Sequence, residues 1–274
     1  MKFLETSLCV GAEKPFRVMH VSDTHLTDAD MRDGERKVAM AIERRDIFPH
    51  ADEMLETICK MSKEEELQII HSGDLIDFVS LLNLEKVKAF TDEYDCFLAA
   101  GNHEFSQYVG IKKEDAEYRN QSLSLVQSAF KNDIRMSSRI IGGVNFVALD
   151  NGYYRFEAEQ LEFLKNAGEK GLPIVLILHD PLYDEEHFNL IMQNSSCAGM
   201  VGVPEPLMRG YPPYRYEQQL ADEITVDTIE YIKSQPLIKV ILAGHIHRNY
   251  EGLVGGRIPQ IITSCTTVRV IEFN

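Results

Sequence analysis

The sequence has no run of about 20 apolar residues, the length that a membrane-spanning helix needs, so no such helix is expected. Its N-terminal stretch carries Glu5 where a signal peptide would be apolar, so no export signal is expected either. Cysteine is scarce, and no CxxC pair occurs among Cys9, Cys59, Cys96, Cys197 and Cys265. We therefore expect reduced thiols, no zinc–thiolate site and a cytoplasmic location.

Positive charge is also in short supply, since 28 lysines and arginines stand against 43 acidic residues and the formal net charge is −15. This balance argues against a nucleic-acid or membrane partner, but a small anionic substrate stays possible because metal ions can dominate a local field. The length of 274 residues, 44% of them hydrophobic, fits one domain spanning 1–274. The sequence predicts no particular oligomeric state.

Short apolar runs alternate with amphipathic stretches along the chain. The apolar runs predict strands that are covered on both faces: Phe16–Ser22, Leu67–Gly73, Cys96–Gly101, Val144–Asp150, Pro173–His179 and Lys239–His245. Stretches with apolar residues at helical spacing predict helices: Ala51–Glu66, Leu84–Tyr94, Glu114–Lys131, Glu157–Lys170 and Gln218–Ser234. Alternation of this kind indicates an α/β fold with a parallel or mixed sheet.

Polar side chains follow most of these strands at the point where each strand ends. They are Asp23, His25, Asp74, Asp77, Asn102, His103, Glu104, His179, His245 and His247. Because ligands bind α/β sheets at the carboxyl ends of strands, we expect these side chains at one rim. Carboxylate, imidazole and amide ligands without thiolate suit manganese, iron, zinc or cobalt. The candidate ligands are too many for one ion with an open position, and they suit two ions that share a carboxylate.

These segments resemble the motifs of the calcineurin-like metallophosphoesterases, and of the compact bacterial branch that contains phosphodiesterases and broad phosphoesterases. The family pattern is DxH, GDxxD, GNH followed by D or E, a lone His, and GHxH. It is matched in order, between about residues 16 and 248, by Asp23-Thr-His25, Gly73-Asp74-Leu-Ile-Asp77, Gly101-Asn102-His103-Glu104, His179 and Gly244-His245-Ile-His247. The resemblance implies a four-layer α/β/β/α sandwich of two mixed sheets flanked by helices, with a dinuclear metal site at the carboxyl ends of the strands.

The resemblance also implies a role for each matched residue. One ion is expected on Asp23, His25 and His247, and the other on Asn102, His179 and His245, with Asp74 bridging the two. His103 matches the histidine that assists the leaving group. The implied activity is hydrolysis of a small phosphoester by a hydroxide that bridges two divalent or trivalent ions of manganese, iron or zinc.

Three other functions were weighed against this one. A protein phosphatase is disfavoured because Phe78-Val79 follows Asp77, and Ala100 precedes Gly101, where those enzymes carry arginines. A nuclease of the same superfamily would share every motif, but it would usually have a basic surface. A non-catalytic scaffold on this fold would typically have lost a ligand or the catalytic histidine. The preferred prediction is a small-molecule phosphodiesterase or phosphatase.

Residues near the motifs have plainer expected roles. Asp77 is expected to make local hydrogen bonds, and Glu104 either to orient His103 or to cap the next helix. A turn role is expected for Asp180. Core positions are expected for His20 and His71, and solvent-exposed positions for His50 and His187.

Two segments depart from the alternating pattern. The segment 182–216 is expected to be an irregular insertion, and its portion 199–216 is a candidate substrate lid. There Arg209 or Arg215 could meet phosphate, and Tyr211, Tyr214 or Tyr216 could stack on a ring. The spacing from Asp23 to Asp74 is also longer than expected for the bacterial branch, so the inserted segment Thr27–Pro49 is a second candidate border of the site.

Overall fold

The computed structural model describes residues 1–111 and 115–274, and its strands form two sheets. The strands of the first sheet are β1 (Lys2–Leu8), β2 (Phe16–Val21), β3 (Gln68–His71), β4 (Cys96–Leu98) and β11 (Thr267–Phe273). Those of the second sheet are β5 (Met136–Ile141), β6 (Val144–Leu149), β7 (Ile174–Ile177), β8 (Ile238–Ala243), β9 (Tyr250–Val254) and β10 (Ile258–Ile262). The spatial orders are β1-β11-β2-β3-β4 and β5-β6-β7-β8-β10-β9.

Both sheets are mixed. In the first, β2, β3 and β4 are parallel neighbours, while β11 runs antiparallel to β2 and parallel to β1. In the second, β6, β7, β8 and β10 are parallel, and β5 and β9 pair antiparallel at the two edges. The six predicted strands are β2, β3, β4, β6, β7 and β8. The prediction missed β10, which is also parallel to β8, and it missed β1, β5, β9 and β11.

Helices lie between these strands in the sequence. Their bounds are α1 (Glu35–Ile47), α2 (Ala51–Glu64), α3 (Leu81–Glu93), α4 (Ala116–Gln127), α5 (Ala158–Glu169), α6 (Glu185–Met192), α7 (Pro213–Gln219) and α8 (Glu223–Ser234). Short 3₁₀ turns span Met31–Asp33, His103–Phe105 and Glu205–Met208. Within the described residues, two mixed sheets flanked by helices confirm the predicted fold class.

Several predicted boundaries differ from the structure. The segment 182–216 is not irregular throughout, because it contains α6, a 3₁₀ turn and the start of α7. The predicted helix Gln218–Ser234 is two helices, because the Asp222 side chain accepts the backbone N–H of Thr225 and starts α8. The predicted helix Glu114–Lys131 corresponds to α4, and its first predicted residue, Glu114, lies outside the described residues.

Three apolar layers hold the sheets and helices together. Alternate residues of one strand serve different layers: Val240 and Leu242 of β8 pack between the two sheets, whereas Ile241 packs outward with α5 and α8. On the first sheet, Val18 faces the layer between the sheets and Met19 faces α2 and α3. This alternation produces the order of helices, sheet, sheet and helices. Among the described residues, no helix is both long and apolar enough to cross a membrane.

Phe146 provides a test of the layer between the sheets. Its ring is fully buried and packs edge-on against Phe16 and Phe273, with centroids 6.2 and 5.5 Å away. We expect Phe146→Ala to lower the free energy of unfolding by about 3–5 kcal/mol, through lost burial and the cavity left behind. The measurement is urea unfolding of metal-free protein, with the exposed Leu253→Ala as the control. A loss of less than about 1 kcal/mol would contradict a close-packed layer here.

Candidate active site

The parallel strands of both sheets end at one edge of the sandwich, and the candidate ligands follow directly. Asp23 follows β2 and His245 follows β8, and the carboxylate of Asp23 accepts the backbone N–H of His245 at 3.0 Å. His179 follows β7, and its Nδ1 lies 2.8 Å from the carbonyl oxygen of Ser72 behind β3. These contacts join loops from the two sheets, so residues far apart in sequence form one rim, as expected.

Two glycines in the motifs permit this close approach. A Cβ on Gly101 would collide with the Asp74 side chain and lie 2.8 Å from the backbone nitrogen of Asp74. A Cβ on Gly244 would collide with the side chains of Ser22 and Asp23. The loops can therefore meet only because neither glycine carries a side chain.

One cluster contains Asp23, His25 and His247. The Nε2 atoms of the two histidines are 3.0 Å apart, and His247 Nε2 lies 3.2 Å from Asp23 Oδ1. His25 Nδ1 lies 3.0 Å from Asp77 Oδ1 and donates its proton there, which leaves the lone pair of Nε2 facing His247. Such an arrangement of nitrogen and oxygen atoms attracts a cation.

A second cluster contains Asp74, His179 and His245. His179 Nε2 lies 3.0 Å from Asp74 Oδ2 and 3.3 Å from His245 Nδ1. His179 donates its Nδ1 proton to Ser72, so the opposite nitrogen faces this cluster. Asp74 Oδ2 also lies 3.7 Å from His25 Nε2, which places Asp74 between the two clusters.

The residues fit two metal ions by the chemistry of their donors. Each cluster brings carboxylate and imidazole atoms within reach of a single ion. In addition, Asn102 Oδ1 is buried and has no hydrogen-bond partner, as an amide oxygen reserved for a ligand would be. A third group of His25, Asp74 and His103 is also close enough to hold one ion, so a ligand role for His103 has to be tested.

Charge in the clusters favours bound cations. Burial acts to raise the pKa of Asp74, but the neighbouring histidines, His179 first, hold that pKa well below its ordinary value. Burial acts to lower the pKa of His179, and the Asp74 carboxylate raises it well above the ordinary value. In the metal-free protein a proton thus takes the place of a cation, and metal binding has to release it.

The backbone is unusual at the same residues. The described residues other than glycine with positive φ are Asp23, His25, Glu66, Asp74, Tyr154, His245 and His247, and all but Glu66 lie at this site. Left-handed backbone is tolerated by Asp and His and is rarer for Tyr, and each such residue costs on the order of 1–3 kcal/mol. Strain confined to one place is typical of a functional site.

His103 lies beside the clusters with a fixed orientation. Its Nδ1 lies 2.6 Å from the carbonyl oxygen of Asp77 and 3.2 Å from Asp77 Oδ1, so this nitrogen donates. The other ring nitrogen is left for the cleft that His103 lines. Burial acts to lower the pKa of His103, but the carboxylates of Asp74 and Asp77 raise it to about 9. A protonated imidazole is therefore available there in the metal-free protein.

A family model described as calcineurin-like phosphoesterase matches residues 16–249. The chain belongs to this family. The match confirms the predicted family and the predicted enzyme class, a metal-dependent phosphoester hydrolase. No curated protein sequence matches the chain.

Solved structures with the same fold include a dimetal phosphatase from Danio rerio. It is 14% identical, with a TM-score of 0.52, and the match covers 91% of this chain and 87% of that one. A putative 5'-nucleotidase from Staphylococcus aureus (14% identity, TM-score 0.43) is matched over 92% of this chain and 49% of its own. An NAD nucleotidase from Haemophilus influenzae (11% identity, TM-score 0.42) is matched over 92% of this chain and 45% of its own. This chain therefore spans about half the length of either nucleotidase. The likeness to the dimetal phosphatase, at 14% identity, supports the fold alone.

The phosphoesterase has partners for its candidate ligands that the sequence did not identify. The hydroxyl of Tyr154 lies 2.8 Å from His245 Nε2, on the far side of the ring from the second cluster. Asp180, for which a turn role is predicted, is fully buried, and its Oδ1 lies 3.2 Å from His245 Nδ1. Tyr154 thus bonds the nitrogen of His245 that faces away from the second cluster, whereas Asp180 approaches the nitrogen that faces it. Neither residue lies in a motif that would have revealed it.

The plainer predictions near the motifs have mixed outcomes. Asp77 does make local hydrogen bonds, to His25 and His103. Glu104 neither orients His103 nor caps a helix, because its buried carboxylate accepts the backbone N–H groups of Asp74, Leu75, Ile76 and Gly101. It therefore ties the turn after β3 to the loop after β4.

The predictions for the histidines outside the motifs also have mixed outcomes. His20 and His71 are buried and hydrogen-bonded, to Ser72 and Thr24 respectively, and His50 is exposed, as predicted. The predicted exposure of His187 is wrong. It is buried on α6 and stacks on Tyr250, with ring centroids 3.8 Å apart.

A cleft of about 540 Å³ opens beside the clusters. Its apolar wall includes Ile111, Ile191 and Ile246, and its polar lining includes Arg215 and Arg248. Tyr214 also lines the cleft, whereas Tyr211 is buried with its hydroxyl accepting from Ala198, and Tyr216 bonds Glu205. Part of the candidate lid therefore borders the site.

Tyr154→Phe tests the support of His245. We expect it to weaken manganese binding at the second cluster by about 10- to 100-fold, because partners that orient a ligating histidine have effects of this size. Calorimetric titration of chelator-stripped protein measures this change. The neighbouring Tyr153→Phe is the control, since the ring of Tyr153 packs on Phe105. Equal manganese affinity in wild type and Tyr154→Phe would refute a role for this hydroxyl.

Proposed function

We propose that the protein hydrolyses small anionic phosphoesters with two bound metal ions, and that His103 donates a proton to the leaving group. Asp23, His25 and His247 would hold one ion, and Asn102, His179 and His245 the other, with Asp74 shared. The observation that carries the proposal is the position of Asp74, 3.0 Å from His179 Nε2 and 3.7 Å from His25 Nε2, between two converging clusters. Bound cations would supply positive charge for the phosphoryl oxygens. They would also lower the pKa of water, so that hydroxide is available as the nucleophile.

The chain's own residues would divide the remaining work. His25 and His179 are held with their donor nitrogens fixed, because each commits Nδ1 to an acceptor outside the clusters. His103 likewise commits Nδ1 to Asp77, so its other nitrogen can deliver a proton to a departing oxygen.

The cleft supports a small anionic substrate. In a protein with a net charge of −15, the described lining contains Arg215 and Arg248 and only one carboxylate, Asp74. Arginine suits phosphate through its planar set of donors. A volume of about 540 Å³ accommodates a molecule of nucleotide or sugar-phosphate size and excludes a folded protein chain.

Metal removal tests the first half of the proposal. Protein stripped with a chelator is expected to lose hydrolysis of para-nitrophenyl phosphate and its bis-para-nitrophenyl diester, and to regain it with Mn²⁺ because the donors suit that ion. Faster cleavage of the diester would identify a phosphodiesterase, and faster cleavage of the monoester a phosphatase. Full activity of the stripped protein would exclude the two-metal mechanism.

His103→Ala tests the second half. We expect kcat on phenyl phosphate, whose leaving group needs a proton, to fall by about 10²–10⁴-fold, the usual contribution of an acid–base group. Hydrolysis of para-nitrophenyl phosphate should fall much less, because para-nitrophenolate departs without a proton. The exposed His50→Ala is the control. Loss of one bound ion in His103→Ala, measured by elemental analysis, would instead make His103 a ligand.

A further inference from the structure

Helix α1 lies in the inserted segment between Asp23 and Asp74 and contributes an arginine to the site. Arg44 Nε lies 2.6 Å from Asp77 Oδ2, and Arg44 Nη2 lies 2.9 Å from Asp77 Oδ1. Two parallel hydrogen bonds from a guanidinium fix the plane of a carboxylate as well as its charge. The contact is largely shielded from solvent, since the Asp77 side chain is fully buried and that of Arg44 is 17% exposed.

Asp77 is the acceptor that two site histidines share. His25 Nδ1 and His103 Nδ1 lie 3.0 and 3.2 Å from its Oδ1. Within the described residues, Asp77 Oδ2 accepts hydrogen bonds from Arg44 alone. Arg44 therefore helps to fix the plane in which the carboxylate meets both rings.

The end of the same helix also packs on the site. Phe48, which follows α1, stacks on His25 with centroids 4.0 Å apart and planes at 10°. Its ring lies 5.7 Å from that of His247, and the Arg44 guanidinium lies 5.1 Å from the Phe48 ring. Phe48 thus contacts His25 directly, whereas Arg44 contacts Asp77, which in turn bonds His25. The end of α1 therefore lies against this side of the cluster.

We propose that Arg44 is a positioning residue, which acts through Asp77 to hold His103 in the orientation that delivers a proton to the leaving group. This inference rests on the proposed function, because it assigns Arg44 to the proton-transfer part of that reaction. Without Arg44, the Asp77 carboxylate would lose two of its hydrogen bonds and keep only its contacts with His25 and His103. The His103 ring would keep its bond to the Asp77 carbonyl oxygen, while its contact with the Asp77 side chain would be held less firmly.

Arg44→Gln is expected to lower kcat on phenyl phosphate by about 10- to 100-fold, the effect typical of removing a residue that orients a site histidine. The same variant should change kcat on para-nitrophenyl phosphate little, and KM for both substrates little, because binding does not use Arg44. The matched control is Arg45→Gln, one residue along, where the arginine is exposed and bonds Asp28 instead. Metal content is measured for every variant by elemental analysis.

A double-mutant cycle shows whether Arg44 acts through Asp77. In an Asp77→Asn background, adding Arg44→Gln should lower kcat on phenyl phosphate little further, because the carboxylate through which Arg44 acts is already absent. A full additional loss would overturn the proposal. Arg44→Lys keeps the positive charge but offers one donor nitrogen where Arg44 uses two, so it should recover part of the selective loss. It replaces Arg44→Gln if that variant does not fold.

The outcomes separate this inference from the proposed function. One outcome is that His103→Ala lowers kcat selectively on phenyl phosphate while Arg44→Gln lowers kcat on both substrates equally, or on neither. In that case Arg44 has no positioning role, and the acid role of His103 stands. If His103→Ala itself shows no selectivity between the two substrates, the acid role fails, and the role of Arg44 fails with it. Selective loss in both variants, with two ions retained, supports both.

Discussion

The site depends on a single constraint, that ring nitrogens of the candidate ligands face one another at about 3 Å. His25 Nε2 and His247 Nε2, 3.0 Å apart, repel unless a proton or a cation lies between them. The protein keeps them there by occupying the opposite side of the rings. Nδ1 of His25 bonds Asp77, and Nδ1 of His179 bonds the carbonyl oxygen of Ser72. Nε2 of His245 bonds the hydroxyl of Tyr154. These outer hydrogen bonds fix the ring orientations and so make the opposite ring nitrogens converge on the clusters.

The fold supplies this convergence from two directions. Asp23, Asp74 and Asn102 follow strands of the first sheet, whereas His179 and His245 follow strands of the second. The spacing between the two groups of candidate ligands is therefore set by the apolar layer between the sheets. Close packing in that layer resists small displacements, so it holds the two clusters at a fixed spacing.

The parallel centre of each sheet and the candidate ligands could be predicted, because buried strands are continuous apolar runs and the motif residues follow them directly. Helix α1 could not be, since Ala41 is its only buried residue within a polar, charged stretch and leaves no apolar period. The edge strand β1 was not predicted either, because it is partly exposed and its sequence mixes polar and apolar residues without a continuous apolar run. Tyr154, Asp180 and Arg44 contact site residues that are distant from them in sequence, so only the three-dimensional arrangement reveals them. His187 resembles a solvent-exposed residue in sequence and is buried by its stack on Tyr250.

The left-handed residues at the site have a consequence for the life of the chain in the cell. Six strained positions lie together where bonds to metal can compensate the strain, and the one left-handed residue elsewhere in the described chain is Glu66. A molecule without bound ions would carry the strain without that compensation, so its rim loops would be expected to open more readily than those of a metal-bound one. Proteases act on opened segments, so the metal-free form would be the one that they cleave first.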